Sequence, residues 1–155
     1  MSKKLLLILF ALSLTRCSFL SDIKTPKLFL KISASTNINP NYTGEPRPLE
    51  LQIYQLKNDQ AFNQASFAQI YTTPQDVLKS EIVLERSLAS IFPGQEIVVT
   101  MPLAKGTQYI GIIAGFSKSY EAKNKVIYKL DNIIEANLHL KIDGININVS
   151  RMTFS

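Results

Sequence analysis

Few residues in this chain have the chemistry of a catalytic or metal site. His139 is its only histidine and Cys17 its only cysteine. A zinc site needs three or four nitrogen or sulfur ligands, and a serine–histidine–aspartate arrangement needs a nucleophile elbow that the sequence lacks. The acidic residues occur singly along the chain. The sequence therefore predicts a protein that is not an enzyme and that uses no metal and no cofactor.

The chain begins with the three parts of a bacterial export signal. Lys3 and Lys4 form a positive start, an apolar run follows over residues 5–14, and Cys17 stands just beyond it. The run is shorter than the ~20 apolar residues that span a bilayer. The four residues ending at Cys17, LTRC, resemble a lipobox, although Arg16 stands where a small residue is usual. We predict a lipid on Cys17; an ordinary thiol after a conventional signal peptide and an uncleaved anchor are the alternatives.

Beyond that signal the composition is that of one folded domain. Hydrophobic residues make up 46% of the chain, which is enough for a packed core. Setting aside the three basic residues before Cys17 leaves 14 basic against 12 acidic residues, and this near balance argues against a nucleic-acid partner. We predict a signal peptide over residues 1–16, a lipidated N-terminus and tether over 17–27, and a folded domain over 28–155. Ser18 resembles the outer-membrane sorting pattern of lipoproteins.

Alternating apolar residues predict short strands in the folded domain. Leu28 to Ser35 and Leu49 to Leu56 alternate, and the apolar run from Gln108 to Phe116 is typical of a central strand covered on both faces. Val126 to Ile134 is another predicted strand. The loop Asp143-Gly144 predicts a final hairpin that pairs the residues directly before and after it. About eight strands with one helical insertion after the second predict a two-sheet β-sandwich.

The insertion has helical spacing. Residues 59–71 predict one helix, with Asp59 as its N-cap and Phe62 and Phe67 facing the sheet. Thr73 to Asp76 predicts a capping box that opens a second short helix. Gly111 and Gly115, in the central strand, indicate the close approach of another element.

The loop between the first two strands organises the chain. Asn39-Pro40, Gly44, Pro46 and Pro48 interrupt any regular structure there. A polar loop braced by proline and held between two strands is typical of a contact surface, although it could also be a plain connection.

The residues of this region resemble those of the TssJ (SciN, VasD) lipoproteins of the bacterial type VI secretion system. The resemblance begins at Asn39-Pro40, Gly44 and LQIYQLKNDQAF, continues through Pro93-Gly94-Gln95 and GTQYIGIIAGF, and covers residues 28–150. It implies a transthyretin-like sandwich, anchored by lipid in the outer membrane of a Gram-negative bacterium and facing the periplasm. It also implies binding to the periplasmic C-terminal domain of the inner-membrane protein TssM. This binding would tie the secretion apparatus to the outer membrane.

In the family, the loop between the first two strands contacts TssM. Here the resemblance implies contacts from Tyr42, Glu45 and Arg47. The full partner-binding loop is Asn37, Ile38, Asn39, Pro40, Asn41, Tyr42, Thr43, Gly44, Glu45, Pro46 and Arg47, in which Asn39, Pro40 and Gly44 set the shape. The chain departs from the family at Ser117 and at Asn124-Lys125, where an arginine and a tryptophan–arginine pair are common.

Two other functions compete with this one. Transthyretin-like sandwiches also carry ligand sites, so a periplasmic ligand-binding lipoprotein is the main alternative and predicts a concave pocket with converging polar groups. A periplasmic chaperone or enzyme accessory would present a long exposed edge strand. The resemblance favours the assembly role, for which we expect no small-molecule substrate.

Overall fold

The computed structural model describes residues 25–153, which form two packed four-stranded sheets. Three short helices lie between the second and third strands. The strands are β1 (Lys27–Ala34), β2 (Leu49–Leu56), β3 (Ile82–Ile91), β4 (Glu96–Pro102), β5 (Tyr109–Ala114), β6 (Lys125–Lys129), β7 (Glu135–Asp143) and β8 (Asn146–Arg151), and the helices are α1 (Gln60–Gln64), α2 (Phe67–Thr72) and α3 (Pro74–Leu78). The predicted sandwich with its helical insertion is confirmed.

Strand direction sorts the connections into two groups. One sheet has the order β4-β1-β7-β8 and the other β3-β2-β5-β6. β1 runs parallel to β7, and the other paired strands are antiparallel. The β1–β2, β3–β4, β5–β6 and β7–β8 connections therefore gather at one end of the sandwich, called here the loop end. The chain enters β1 at the opposite end, the entry end, together with the β2–β3, β4–β5 and β6–β7 connections.

The core lies between the two sheets. Alternate residues of each strand point into it because successive side chains of a strand face opposite sides. In β1 this places every second residue inside, as the alternation predicts. β5 is buried almost throughout, which confirms a central strand covered on both faces. The inward residues of the first two strands are Leu28, Leu30, Ile32, Ala34, Leu49, Leu51 and Ile53.

A second, smaller cluster lies under the helices, on the outer face of β2 and β5. Phe62 of α1 belongs to it, and the Phe62 ring occupies the space beside Gly111. A Cβ atom at that glycine would lie 2.6 Å from the ring, so the predicted close approach is confirmed. Tyr54 is buried in the same cluster. Burial, followed by the negative charges of Glu85 and Glu50, raises the pKa of Tyr54 to about 12.

Lys125 of β6 closes the C-terminal end of α1. Its amine donates hydrogen bonds to the carbonyls of Phe62 and Ala65, at 2.7 and 2.6 Å, and lies 5.3 Å from the Phe62 ring centroid. The last carbonyls of a helix have no partner within the helix, so a cation there satisfies them. Burial lowers the pKa of this amine below its ordinary value.

The predicted single helix over residues 59–71 is wrong. Ala65 is extended and separates α1 from α2. The predicted capping box at Thr73 is also wrong, since that side chain makes no capping hydrogen bond. The capping box lies instead at the start of α2, between Ser66 and Gln69. Asp59 does not cap α1 either.

The Glu81 carboxylate, from just before β3, accepts the N–H of Ala61 in the first turn of α1. A side chain that is distant in the sequence thus takes the role that the local pattern assigned to Asp59.

Two strand predictions also need correction. β6 ends at Lys129, and residues 131–134 form a loop where the sequence predicted strand. The final hairpin pairs Ile142 with Ile147, so its two-residue loop is Gly144-Ile145. Gly144 has φ +57°, and a glycine with positive φ at the first loop position is typical of a type II′ turn. Each β7 residue therefore pairs with a β8 residue two positions later than predicted. Because the shift is an even number of residues, the same side chains face the core.

Candidate functional site

The loop between β1 and β2 is fastened to the core at Ile38. This side chain is fully buried and belongs to the main core cluster. Its carbonyl accepts the N–H of Arg47 at 3.2 Å, which closes the loop at its base. An apolar residue at the foot of a polar loop limits the loop's freedom, because moving it would expose apolar surface.

Asn39 joins this loop to two other connections at the loop end. Its side-chain amide donates to the carbonyl of Pro48 at 2.8 Å, and its side-chain oxygen accepts the N–H of Ser117 at 2.8 Å. Its own N–H donates to the carbonyl of Gly144 at 2.8 Å. The residue has φ +48°, a left-handed conformation that asparagine tolerates better than most residues. One nearly buried asparagine therefore positions three loops.

Asn41 shapes the tip of the loop. Its side-chain oxygen accepts the N–H of Thr43 at 3.0 Å and the N–H of Glu45 at 2.9 Å. Its side-chain amide donates to the Glu45 carboxylate at 2.9 Å. Gly44, with φ +87°, takes the left-handed position in the turn. Asparagine mimics a backbone turn in this way, so the tip holds one shape without core contacts.

This frame presents an exposed aromatic residue beside an ion pair. Tyr42 is 88% exposed, although a tyrosine usually buries its ring. Arg47 and Glu45 form an exposed ion pair at 3.3 Å, which contributes little to stability. Of the predicted loop residues, Ile38 and Asn39 are buried, Pro40 and Asn41 are half-buried, and Asn37, Tyr42, Thr43, Gly44, Glu45, Pro46 and Arg47 are exposed.

The β5–β6 loop lies beside this loop and extends its surface. Lys118 and Glu121 of that loop line the same shallow groove as Pro40 and Gly44, and the β7–β8 turn lines it too. Tyr120, in the same β5–β6 loop, is fully exposed. The sequence reading missed it, because lysine-rich loops are usually only solvated. An aromatic residue within a polar loop was the available signal.

The structure also shows where the catalytic candidates lie. His139 faces outward from the middle of the first sheet, where its Nε2 lies 2.8 Å from the Ser33 hydroxyl. Among residues 25–153, no group of three or more histidine, cysteine, aspartate or glutamate side chains could hold a metal ion. Cys17 lies outside the described residues. Within those residues no helix is both long and apolar enough to cross a bilayer.

Comparison with protein families assigns the chain. Residues 26–145 match the family T6SS-SciN, described as type VI secretion lipoproteins and including VasD, EvfM and TssJ. The chain belongs to this type VI secretion lipoprotein family. No curated protein sequence gives a significant match. The family assignment therefore depends on the family model and not on any one relative.

Solved structures share the fold of this type VI secretion lipoprotein. The lipoprotein TssJ1 from Pseudomonas aeruginosa superimposes with a TM-score of 0.78 at 21% identity, covering 84% of this chain and 99% of that chain. The Lip protein from Serratia marcescens, described as a membrane-bound component of the type VI secretion system, gives 0.70 at 17% identity, with 84% and 99% covered. A chain in a structure described as the TssM C-terminal domain from EAEC gives 0.67 at 23% identity, with 79% and 99% covered.

Ser117, Asn124 and Lys125 all make contacts within the fold. The N–H of Ser117 donates to Asn39, and the Asn124 side-chain amide donates to the Ser119 carbonyl at 3.0 Å. Lys125 closes α1. The Asn124 and Lys125 side chains therefore hold the β5–β6 loop and α1 in place, whereas the Ser117 bond is made by the backbone.

Proposed function

We propose that this protein is an outer-membrane lipoprotein that binds the periplasmic C-terminal domain of TssM and so anchors the type VI secretion apparatus. Membership of the lipoprotein family supports the assembly role. The likeness to a chain in a structure described as the TssM C-terminal domain supports TssM as the partner. The alternative, a periplasmic ligand-binding lipoprotein, becomes the leading hypothesis if the partner does not bind.

The observation that carries the proposal is an exposed loop whose course is fixed by side-chain hydrogen bonds. Asn39 and Asn41 fix its course through side-chain hydrogen bonds, yet Tyr42 remains almost fully exposed. Binding with a loop that is already ordered costs less conformational entropy than binding with a flexible one. An exposed tyrosine on such a frame has the properties of an interface anchor.

The loop residues divide into two roles. Tyr42 supplies apolar contact area, while Glu45 and Arg47 offer a carboxylate and a guanidinium held close together by their ion pair. Asn39 and Gly44 adopt positive φ and set the loop shape. We expect substitutions of the first group to weaken binding in the folded protein and those of the second to disturb the loop itself.

Binding to the partner is tested with the soluble domain, residues 18–155, and the periplasmic domain of TssM from the same genome. Tyr42→Ala should weaken binding about tenfold, the scale of a central aromatic anchor, and adding Glu45→Ala and Arg47→Ala should weaken it further. Ile133→Ala, an exposed apolar residue at the entry end, is the matched control and should leave the affinity unchanged.

Three results are informative. Micromolar or tighter binding that the loop variants weaken supports both the role and the surface. Tight binding that they leave unchanged keeps the role and moves the interface elsewhere. A folded wild-type domain that does not bind refutes the assembly role.

The anchor is tested separately by a Cys17→Ser variant of the full chain. We expect the wild-type protein to incorporate labelled palmitate and to pellet with outer membranes. The variant should lose the label and leave the outer-membrane fraction. Because Arg16 is unusual in a lipobox, Arg16→Ala is a useful companion and should process at least as fast as the wild type. A wild-type chain that carries no lipid would refute the anchor while leaving the TssM test intact.

A further inference from the structure

The entry end, opposite the proposed partner loop, carries a broad apolar groove. Its volume is about 600 Å³. Leu103 and Leu130 form its floor, and the β4–β5 and β6–β7 connections form its walls. Pro26, the residue through which the chain enters β1, lines it as well.

Hydrogen bonds order this end. The Pro26 carbonyl accepts the N–H of Leu103 at 2.9 Å, and the N–H of Lys27 donates to the Ile134 carbonyl at 3.1 Å. The chain thus enters the fold between the two connections and is bonded to both. The Asn132 side-chain oxygen accepts the N–H of Ile134 at 2.8 Å, which shapes the β6–β7 loop.

That loop exposes two adjacent isoleucines. Ile133 lines the groove and is 64% exposed, and its neighbour Ile134 is 56% exposed. A single exposed apolar side chain is common, but a pair beside an apolar groove is typical of a surface that contacts something apolar.

Two lysines lie on the groove that Ile133 lines. Lys105 and Lys129 line the groove, and both are exposed. No ion pair involves either of them within residues 25–153. The two acids that flank the isoleucines have partners of their own: Asp131 lies 3.9 Å from Arg151 and accepts a hydrogen bond from the Tyr128 hydroxyl, and Glu135 accepts one from the Asn137 side-chain amide. Apolar tips beside unpaired lysines are the pattern of interfacial membrane binding, in which apolar side chains enter the lipid and cations meet phosphate groups.

The length of the preceding chain brings this end close to the proposed lipid. Pro26 is nine residues beyond Cys17, so a fully extended tether reaches no more than about 30 Å. A surface tied so closely to a bilayer experiences a high effective concentration of it, and weak contacts then suffice for docking.

We infer that the entry end rests on the phospholipid surface, with Ile133 and Ile134 at the headgroup–acyl boundary and Lys105 and Lys129 against phosphate groups. This inference rests on the lipid anchor of the proposed function. It assigns the domain an orientation: the loop that contains Tyr42, at the far end of strands of about 25 Å, points away from the membrane.

The chain contains no tryptophan, so one introduced tryptophan reports its own surroundings. Ile134→Trp is the probe at the entry end, and Tyr42→Trp is the matched control at the loop end. The chain from Cys17 onward, which contains the whole described fold, is coupled through its single thiol to a maleimide phospholipid. The vesicles are phosphatidylethanolamine with one quarter phosphatidylglycerol. This coupling replaces the lipid that the cell would attach to Cys17. The test therefore remains valid even if the proposed lipid anchor proves wrong.

We expect the emission of Ile134→Trp to shift to shorter wavelength on coupling and to be quenched about twofold or more by brominated lipid, as for a residue at the interface. Tyr42→Trp should show neither change. Equal responses from the two probes, or no response from Ile134→Trp, would overturn the inference. So would shielding of Ile134→Trp from acrylamide before vesicles are added, since another protein segment or a second copy would then cover the groove.

Two further pairs of variants separate apolar from charged contacts in the Ile134→Trp background. Ile133→Asp should abolish quenching by brominated lipid, whereas Phe92→Asp, an exposed apolar residue at the loop end, should not. Replacing Lys105 and Lys129 by glutamate should reduce the quenching about twofold, whereas Lys141→Glu on the outer face of β7 should not. Circular dichroism checks that each variant is folded. Equal quenching by brominated lipid in a variant and its control would contradict the assigned contacts.

Discussion

The two ends of the sandwich are each held by one buried amide side chain, but the residues sit in different kinds of structure. Asn39 lies in a loop with positive φ and binds the Pro48 carbonyl and the Ser117 N–H. Gln55 lies in β2 and is fully buried. Its amide donates to the Pro102 carbonyl at 2.7 Å, and its oxygen accepts from the N–H of Ala104 at 2.8 Å.

An amide can hold two chain segments at once because it has both donors and an acceptor. At the entry end the amide belongs to a strand, so it fastens to the sheet the β4–β5 connection, which lines the apolar groove. At the loop end the amide belongs to the loop itself, so it orders the surface that we propose for binding. Substitution of the amide at the entry end should therefore lower stability without changing affinity for the partner. Substitution of the amide at the loop end should lower both.

The largest effect should come from Gln55→Leu. It leaves the Ala104 N–H and the Pro102 carbonyl without their partner, and each buried polar group left unpaired costs about 1–3 kcal/mol. We expect the free energy of unfolding to fall by about 4 kcal/mol in urea denaturation, with little change in the affinity of the folded fraction for the partner. Gln52→Leu on the same strand is the control and should cost less than about 1 kcal/mol, since Gln52 is partly exposed. An equal fall in the free energy of unfolding for the two variants would show that Gln55 has no special role.

Asn39→Ala should affect stability and binding together. It removes two side-chain hydrogen bonds and places alanine at φ +48°, so we expect a loss of about 3 kcal/mol in free energy of unfolding. Affinity for the partner should fall as well. Asn39→Gly removes the same hydrogen bonds without the strain and should recover about 1 kcal/mol of stability but not the affinity. Full affinity in both variants would show that the loop shape does not matter for binding.

Tyr120→Ala defines how far the binding surface extends. Tyr120 is fully exposed on the loop that Asn39 joins through Ser117. If the partner covers both loops, affinity should fall about threefold, less than for the central Tyr42. Calorimetric titration measures this, and the thermal midpoint should not move because the side chain has no core contacts. An unchanged affinity would confine the surface to the loop of residues 37–47.

The smallest effect should be the response to pH of His139, which lies between the two ends. Burial, followed by the charges of Lys141 and Lys31, lowers its pKa, while Glu96 opposes the shift. The unfolded chain binds this proton near pH 6.5, before the folded protein does. Stability should therefore be highest above that pH and decrease slightly as the pH falls below it. His139→Gln should remove this part of the decrease in acid-titration measurements and leave binding at neutral pH unchanged. A variant with the wild-type pH dependence would contradict this assignment.

Much of the fold could be predicted because its signals are local. Alternation along β1 and β2 specifies which residues face the core, since the side chains of a strand change sides at every residue. Prolines and glycines marked the loop of residues 37–47 because they restrict the backbone regardless of context. The apolar run of β5 and its glycines indicated a strand covered on both faces, and Phe62 does pack against Gly111.

Only the tertiary structure decided the features that depend on distant partners. α1 ends where Lys125, some 60 residues later, meets its last carbonyls, and its start is bonded to Glu81. The hairpin register depends on a turn with Gly144 in its first loop position, which the dipeptide alone leaves open. The loop is ordered by the bond from Ser117 to Asn39, 78 residues apart. A sequence pattern records the preferences of neighbours along the chain, whereas hydrogen bonds between remote segments exist only once the two sheets have packed.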